Sequence, residues 1–316
     1  MDRVVGLEGV RVEFAMVETP DGHGRLELVK FHARRARAET GTRRPTPRAS
    51  ARNLCAPGDR TDSGRACKTP RVPEDYFGEE IAGRYDETSA DMFDPAVVEP
   101  AVTFLADLAG TGAALELGIG TGRIALPLAQ RGVRVHGIDL SEAMVARMRT
   151  KPGGERIPVT IGDFATTTVD DTFTLAYLVF NTIVNLTTQD EQVACFENAA
   201  AHLEPGGAFV IEVGVPSLRR LPPRETVDIA AFSEGYHCVN EFDVANQGLV
   251  SHHFTAVGGT FEARSIPFRY VWPSELDLMA RLAGMRLRER WGGWAREPFT
   301  SESTRHVSVW EKPASP

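Results

Sequence analysis

Residues 113–140 read AALELGIGTGRIALPLAQRGVRVHGIDL, and their pattern sets the architecture. A short apolar run, 113–117, ends in Gly118-Ile119-Gly120-Thr121-Gly122. A helical stretch follows near 122–131, and a second apolar run, 133–140, ends in Gly137-Ile138-Asp139-Leu140. Strand, glycine turn, helix and strand make a βαβ unit, whose crossover joins parallel strands. Glycine in the turn permits positive φ and removes the Cβ that would stand between backbone and ligand. Asp139 follows Gly118 by 21 positions, the offset at which an acid ending the second strand reaches ribose hydroxyls. Ser141 is placed to cap the next helix.

The alternation extends in both directions. Helices are expected at 95–108, 141–149 and 190–203, and strands at 157–163, 174–180 and 207–214. A helix at 273–282 and strands near 285–294 and 305–312 close the chain, and residues 75–92 suit a helical lid. Apolar strands alternating with helices predict an α/β fold with a mostly parallel sheet covered on both faces, binding its ligand at the carboxyl edge of the strands. Within an insertion at 215–273, runs at 236–244, 248–257 and 261–272 are separated by turns at 245–248 and Gly258-Gly259. They predict an antiparallel β meander over the ligand edge.

The 316 residues are 42% hydrophobic and 25% charged, with four cysteines far apart and no Cys-x-x-Cys pair. This composition excludes a disulfide scaffold or a fibre and points to a cytoplasmic protein, and no apolar run is long enough to enter a membrane. The net charge of −8 conceals a split. Residues 1–72 hold 15 Lys and Arg against 9 Asp and Glu, a balance of +6, which leaves −14 for 73–316. Residues 30–72, rich in Arg, Ala, Thr and Pro without apolar periodicity, read as a basic disordered linker. The acidic part repels phosphates, which favours a small-molecule ligand over nucleic acid.

Gly118-x-Gly120-x-Gly122, Asp139, Gly162-Asp163-Phe164 and the Pro205-Gly206-Gly207 turn occur in the order and spacing that resemble class I S-adenosylmethionine-dependent methyltransferases, over roughly residues 75–312. The resemblance implies a Rossmann-like seven-stranded sheet with its last strand antiparallel and S-adenosyl-L-methionine as cofactor. It implies cofactor contacts from Glu116, Gly118, Gly120, Gly122, Asp139, Leu140, Met144, Asp163, Phe164 and Phe180. Asn181 and Asn185, at the end of the fourth strand, would orient an acceptor, with Tyr85 in the lid. The meander would offer His237, His252, His253, Arg269 and Tyr270 to the acceptor; alternation puts His252 and His253 on opposite faces. No histidine pair has metal-site spacing. The implied reaction is methyl transfer to nitrogen or oxygen of a small organic acceptor.

Ahead of the linker, residues 4–31 alternate like strands around Pro20-Asp21-Gly22-His23-Gly24, and TPDGHGRLELVKF (19–31) resembles the last hairpin of a vicinal-oxygen-chelate module. Glu27 stands where such modules often place a metal ligand. Two other functions follow from these features: a metal-dependent vicinal-oxygen-chelate fusion, or a non-catalytic nucleotide-binding protein whose basic stretch contacts nucleic acid.

Overall fold

A computed structural model describes residues 75–314, apart from 223–224, 234 and 258–259, together with two strands near the amino terminus. The chain divides into two compact units, Met1–Lys68 and Thr69–Pro316. In the first, β1 (Val10–Glu18) pairs antiparallel with β2 (Arg25–Ala33), with Glu18 in register with Arg25. Glu27 lies within β2, opposite Met16. Strand β2 runs three residues past Lys30, where the linker was expected to begin; residues 34–72 lie outside the described residues.

The second unit opens with α1 (Glu79–Ala82) and α2 (Tyr85–Thr88), four residues each, and a 3-10 turn at Ala90–Phe93. Then comes α3 (Pro95–Ala109), started by the Asp94 carboxylate accepting from the Ala96 N–H at 2.8 Å, with Pro95 in its first turn, and ended at Gly110. The βα alternation follows: β3 (Ala113–Leu117), α4 (Ala125–Gln130), β4 (Arg134–Asp139), α5 (Glu142–Arg149), β5 (Val159–Ile161), β6 (Phe173–Leu178), α6 (Gln189–His202) and β7 (Leu203–Gly214). Ser141 caps α5, and Thr188 with Glu191 forms a capping box on α6, as Thr-x-x-Glu ahead of a helical run dictates.

Four strands, β8 (Val227–Ser233), β9 (Tyr236–Asp243), β10 (Gly248–Val257) and β11 (Thr260–Arg269), form a separate antiparallel sheet in the order β11-β10-β9-β8. The meander thus has one strand more than the three read from sequence. The added strand β8 is an edge with a bulge between Ile229 and Ala231, and its half-apolar run breaks the period that identifies a strand. The chain ends with α7 (Pro273–Leu282), β12 (Arg286–Trp291) and β13 (Arg305–Glu311).

The main sheet has seven strands in the order β12-β13-β7-β6-β3-β4-β5. Strands β3 to β7 are parallel to their neighbours, while β13 runs antiparallel to β7 and β12. Because the chain moves outward from β3 to β4 and β5 and then returns to place β6 on the other side of β3, connections leave β3 and β6 in opposite directions. A crevice opens at that switch point. Alternation along β3 divides the core. Leu115 and Leu117 pack with Phe196 of α6, Phe209 and Trp310, while Ala114 lies on the other side with Phe104 and Leu105 of α3 and Leu128 of α4.

Candidate active site

Glycine geometry shapes the crevice. Gly118, Gly120 and Gly122 all have positive φ, at 77°, 55° and 79°. Their roles differ. Gly118 and Gly120 line a cavity of about 190 Å³, whereas a Cβ on Gly122 would stand 2.6 Å from Met148 Cγ, so that glycine serves the packing of the turn on α5.

Asp139, at the carboxyl end of β4, turns its side chain back to the glycine loop. Its Oδ2 accepts from the Gly120 N–H at 2.6 Å and its Oδ1 from the Ser141 N–H at 2.9 Å. Burial raises its pKa, and those two N–H donors oppose the rise. Each carboxylate oxygen keeps a further lone pair for a ligand hydroxyl. Leu140, Met144 and Phe164 give the same cavity an apolar wall, with Asp163 beside them. Burial also raises Asp163, and the nearby Glu191 charge adds to the rise.

The segment before α3 covers the glycine turn. Tyr76, Phe77 and Tyr85 line the cavity, and burial raises the Tyr85 pKa. The segment is fastened at several points. Thr121 Oγ1 donates to Asp86 Oδ1 at 2.6 Å, Lys151 Nζ lies 2.6 Å from Asp86 Oδ2, and Ser141 Oγ donates to the Phe77 carbonyl at 2.8 Å. Arg264 of β11 donates to the Tyr76 carbonyl, so the second sheet also touches this cover.

The opposite wall comes from the 3-10 turn Thr182–Asn185 and the start of α6. Thr182, Asn185, Leu186, Thr187 and Glu191 line it, and Pro267 of β11 closes the top. Asp75, Asp139, Asp163 and Glu191 make four carboxylates in the lining, and no Lys, Arg or His is among the lining residues. A larger cleft of about 430 Å³ lies at the amino edge of the strands, walled by Val133, Arg134, His136 and Phe173. It has neither the glycine turn nor the strand-end acid, and parallel sheets bind ligands at the other edge.

Nine of the candidate site residues named from the sequence line the cavity: Tyr85, Gly118, Gly120, Asp139, Leu140, Met144, Asp163, Phe164 and Asn185. Others stand elsewhere. Glu116 is buried within β3, accepting from the Tyr177 hydroxyl at 2.9 Å, and burial pushes its carboxyl up to about 8. Phe180 has φ 58° and sits under the Arg123 guanidinium at 4.8 Å from the ring centre. Asn181 Oδ1 accepts from the Gly214 N–H at 2.6 Å, joining the ends of β6 and β7.

On the second sheet, His253 Nδ1 pairs with the Tyr236 hydroxyl at 2.7 Å, while His252 pairs with Ser265 Oγ at 2.8 Å. His237 stacks on Phe232 at 4.3 Å, and Tyr270 meets Phe242 edge to face. Arg269 is buried against Glu275 and Gln192. None of these five lines the cavity; of this sheet Pro267 does. Asp75, Tyr76 and Phe77 belong to the segment read from sequence as a lid but were not singled out, and Glu191 and Pro267 were passed over. For Glu191 a signal existed, since the Glu of a capping box, at N3, sits in a first helical turn, here the turn at the sheet's ligand edge.

Among the described residues no group of His, Cys, Asp and Glu has metal-binding geometry, and no helix is long and apolar enough to cross a membrane.

Residues 114–207 match the family model of a methyltransferase domain. The chain is 36% identical to the CcbJ methyltransferase from Streptomyces caelestis, whose structure superposes with a TM-score of 0.66 over 76% of this chain and 98% of that one. It is 27% identical to the cypemycin N-terminal methyltransferase of a Streptomyces species, over 72% of this chain and 97% of the relative. An S-adenosylmethionine-dependent methyltransferase from Clostridium acetobutylicum, 12% identical, shares the fold with a TM-score of 0.60 over 73% and 99% of the two chains. With 36% identity across 98% of the CcbJ chain and a methyltransferase-domain match at residues 114–207, the chain belongs to the class I S-adenosylmethionine-dependent methyltransferases.

Proposed function

We propose that this enzyme transfers the methyl group of S-adenosylmethionine to a nitrogen of a small organic acceptor. The observation that carries the choice of nitrogen is the lining of Asp75, Asp139, Asp163 and Glu191 without a basic side chain among the lining residues. Carboxylates in a partly dry cavity favour cationic ligands, and both a sulfonium and an amine are such ligands. The name of the cypemycin relative places its methyl group at an N-terminus, which is also an amine.

In this reading Asp139 accepts from the ribose hydroxyls, and the Gly118 and Gly120 backbone lets the cofactor approach closely. Phe164, Leu140 and Met144 flank the adenine, with Asp163 at its edge. Tyr85 and the cover segment exclude water. Asn185 orients the acceptor. The cofactor supplies a methyl already activated on sulfur, so the chain's task is to hold nitrogen in line with it. An amine bound as a cation would have to become neutral before its lone pair could reach that methyl, and Glu191 on the cavity wall would accept the proton it gives up. We assign no role to the amino-terminal hairpin, because two paired strands do not make the cup that a vicinal-oxygen-chelate site needs. A cytoplasmic location fits the free, buried Cys195 and Cys238.

The test is incubation of the full chain with S-adenosylmethionine and matched panels of small amines and small alcohols and phenols, following adenosylhomocysteine. Turnover confined to amines is expected. Turnover with hydroxyl compounds alone would overturn the assignment to nitrogen.

A further inference from the structure

Gln192 is fully buried one residue beyond Glu191, and every polar atom of its side chain is engaged. Nε2 donates to the carbonyls of Ile183 at 3.3 Å, Leu186 at 3.2 Å and Arg269 at 3.1 Å. Oε1 accepts from Arg269 Nη1. The other arm of that guanidinium reaches Glu275 Oε1 at 2.7 Å, and Glu275 accepts in addition from Gln247 at 2.7 Å and Gln189 at 2.8 Å. One amide therefore joins three pieces of cavity wall: the 182–186 turn carrying Asn185, α6 carrying Glu191, and β11 carrying Pro267.

An apolar side chain of the same volume would fill the space between α6, β11 and the turn. It would not set distances, because dispersion contacts lack direction whereas a buried donor must be satisfied by particular acceptors. The ties also spare the cofactor half of the cavity, where Gly118, Gly120 and Asp139 hang on β3 and β4 through separate hydrogen bonds.

We propose that Gln192 and Arg269 are positioning residues for the acceptor half of the cavity, holding the 182–186 turn at a fixed separation from Pro267. The proposal rests on the reading that this half receives the acceptor. Neither side chain touches the substrate; each acts through the turn and the strand that do.

The test uses the full chain, hydrogen exchange read by mass spectrometry, and adenosylhomocysteine titration. In Gln192→Met and Arg269→Met, peptides covering 180–188 should exchange about tenfold faster or more, while those covering 113–122 stay as in wild type. Affinity for adenosylhomocysteine should remain within about twofold. Arg269→Lys, which keeps a cation opposite Glu275 and a donor for Gln192, should return most of the protection. Arg290→Met removes an ion pair with Asp277 on another face of α7 and serves as the control for lost stability. It should lower the melting temperature and leave 180–188 unchanged. Exchange in 180–188 that is unmoved, or that rises equally in 113–122, would overturn the proposal. Wild-type chain that fails to bind adenosylhomocysteine would instead remove the functional reading beneath it.

Discussion

Thr121 Oγ1 donates to Asp86 Oδ1 at 2.6 Å, tying the cover segment to the glycine turn it encloses, and Lys151 holds the second oxygen of the same carboxylate. Helices α1 and α2, four residues each, are far too short to persist alone. Their position over the cavity is therefore set by such attachments.

Asp86→Ala should weaken cofactor binding about tenfold, the worth of one charge-assisted bond, with little change in melting temperature. Calorimetric titration and a thermal scan of the same preparation check both parts. Unchanged affinity would mean that the cover closes without this attachment.

The glycines separate turn geometry from ligand approach. Gly122→Ala forces a methyl against Met148 and Leu126, at 2.6 and 3.0 Å from their Cγ atoms, on top of positive φ. A loss of about 2–3 kcal/mol in unfolding free energy is expected. At Gly120 a Cβ would make only an ordinary contact, 3.5 Å from Met144 Cε, and the strain of positive φ costs about 1 kcal/mol. There the larger effect should be on cofactor affinity, because the methyl enters the cavity. Denaturant titrations paired with cofactor binding distinguish the two.

Two buried groups give stability opposite slopes with pH. Folding lifts Glu116 from an ordinary 4.5 to about 8, chiefly by burial, so the folded chain holds a proton that the unfolded chain releases. The stability this contributes is complete below 4.5 and is lost as pH rises through about 8. His306 is lowered by burial from 6.5 to about 4, so its contribution is complete above 6.5 and is lost as pH falls through about 4. Melting curves between these limits should show Glu116→Gln gaining on wild type as pH rises. His306→Asn should gain as pH falls. Parallel curves at all pH values would contradict the assignment.

Asp277 accepts from both arms of Arg290, at 3.2 and 2.7 Å, and from the Trp310 indole at 2.9 Å. Asp277→Ala strands a half-buried guanidinium and an indole N–H together. A loss of about 3 kcal/mol is expected by denaturant titration, against about 1 kcal/mol or less for removing the exposed Arg286–Glu311 pair.

The part of the cavity proposed for the cofactor was legible in the sequence because the residues that line it are local. Gly118, Gly120 and Asp139 belong to one βαβ unit, and turn geometry, strand period and loop length fix them together. The part proposed for the acceptor is assembled from distant segments. Pro267 and Glu191 meet in the cavity lining from β11 and α6, which have four strands between them in the chain, and no local period announces that. Arg269 shows the same limit: its strand position suggested an acceptor contact, but Glu275, at the start of the following helix, takes the charge. The histidines at 252 and 253 do lie on opposite faces, as strand alternation requires, and both are occupied by neighbours within their own sheet. Glu116 was read as a ligand group because strand position alone does not reveal that Tyr177 stands opposite it in the register.

The proposed role of Asp139 and the glycine turn is to hold S-adenosylmethionine. Calorimetric titration of the full chain with S-adenosylmethionine and adenosylhomocysteine, beside Asp139→Ala, tests it most directly. Saturable one-to-one binding by the wild type, weakened about thirtyfold or more in the variant, is the expected result, since a buried carboxylate bonded to ribose is worth about 2 kcal/mol or more. Wild-type chain that binds neither compound, or an Asp139→Ala chain that is folded and binds as tightly, would contradict it.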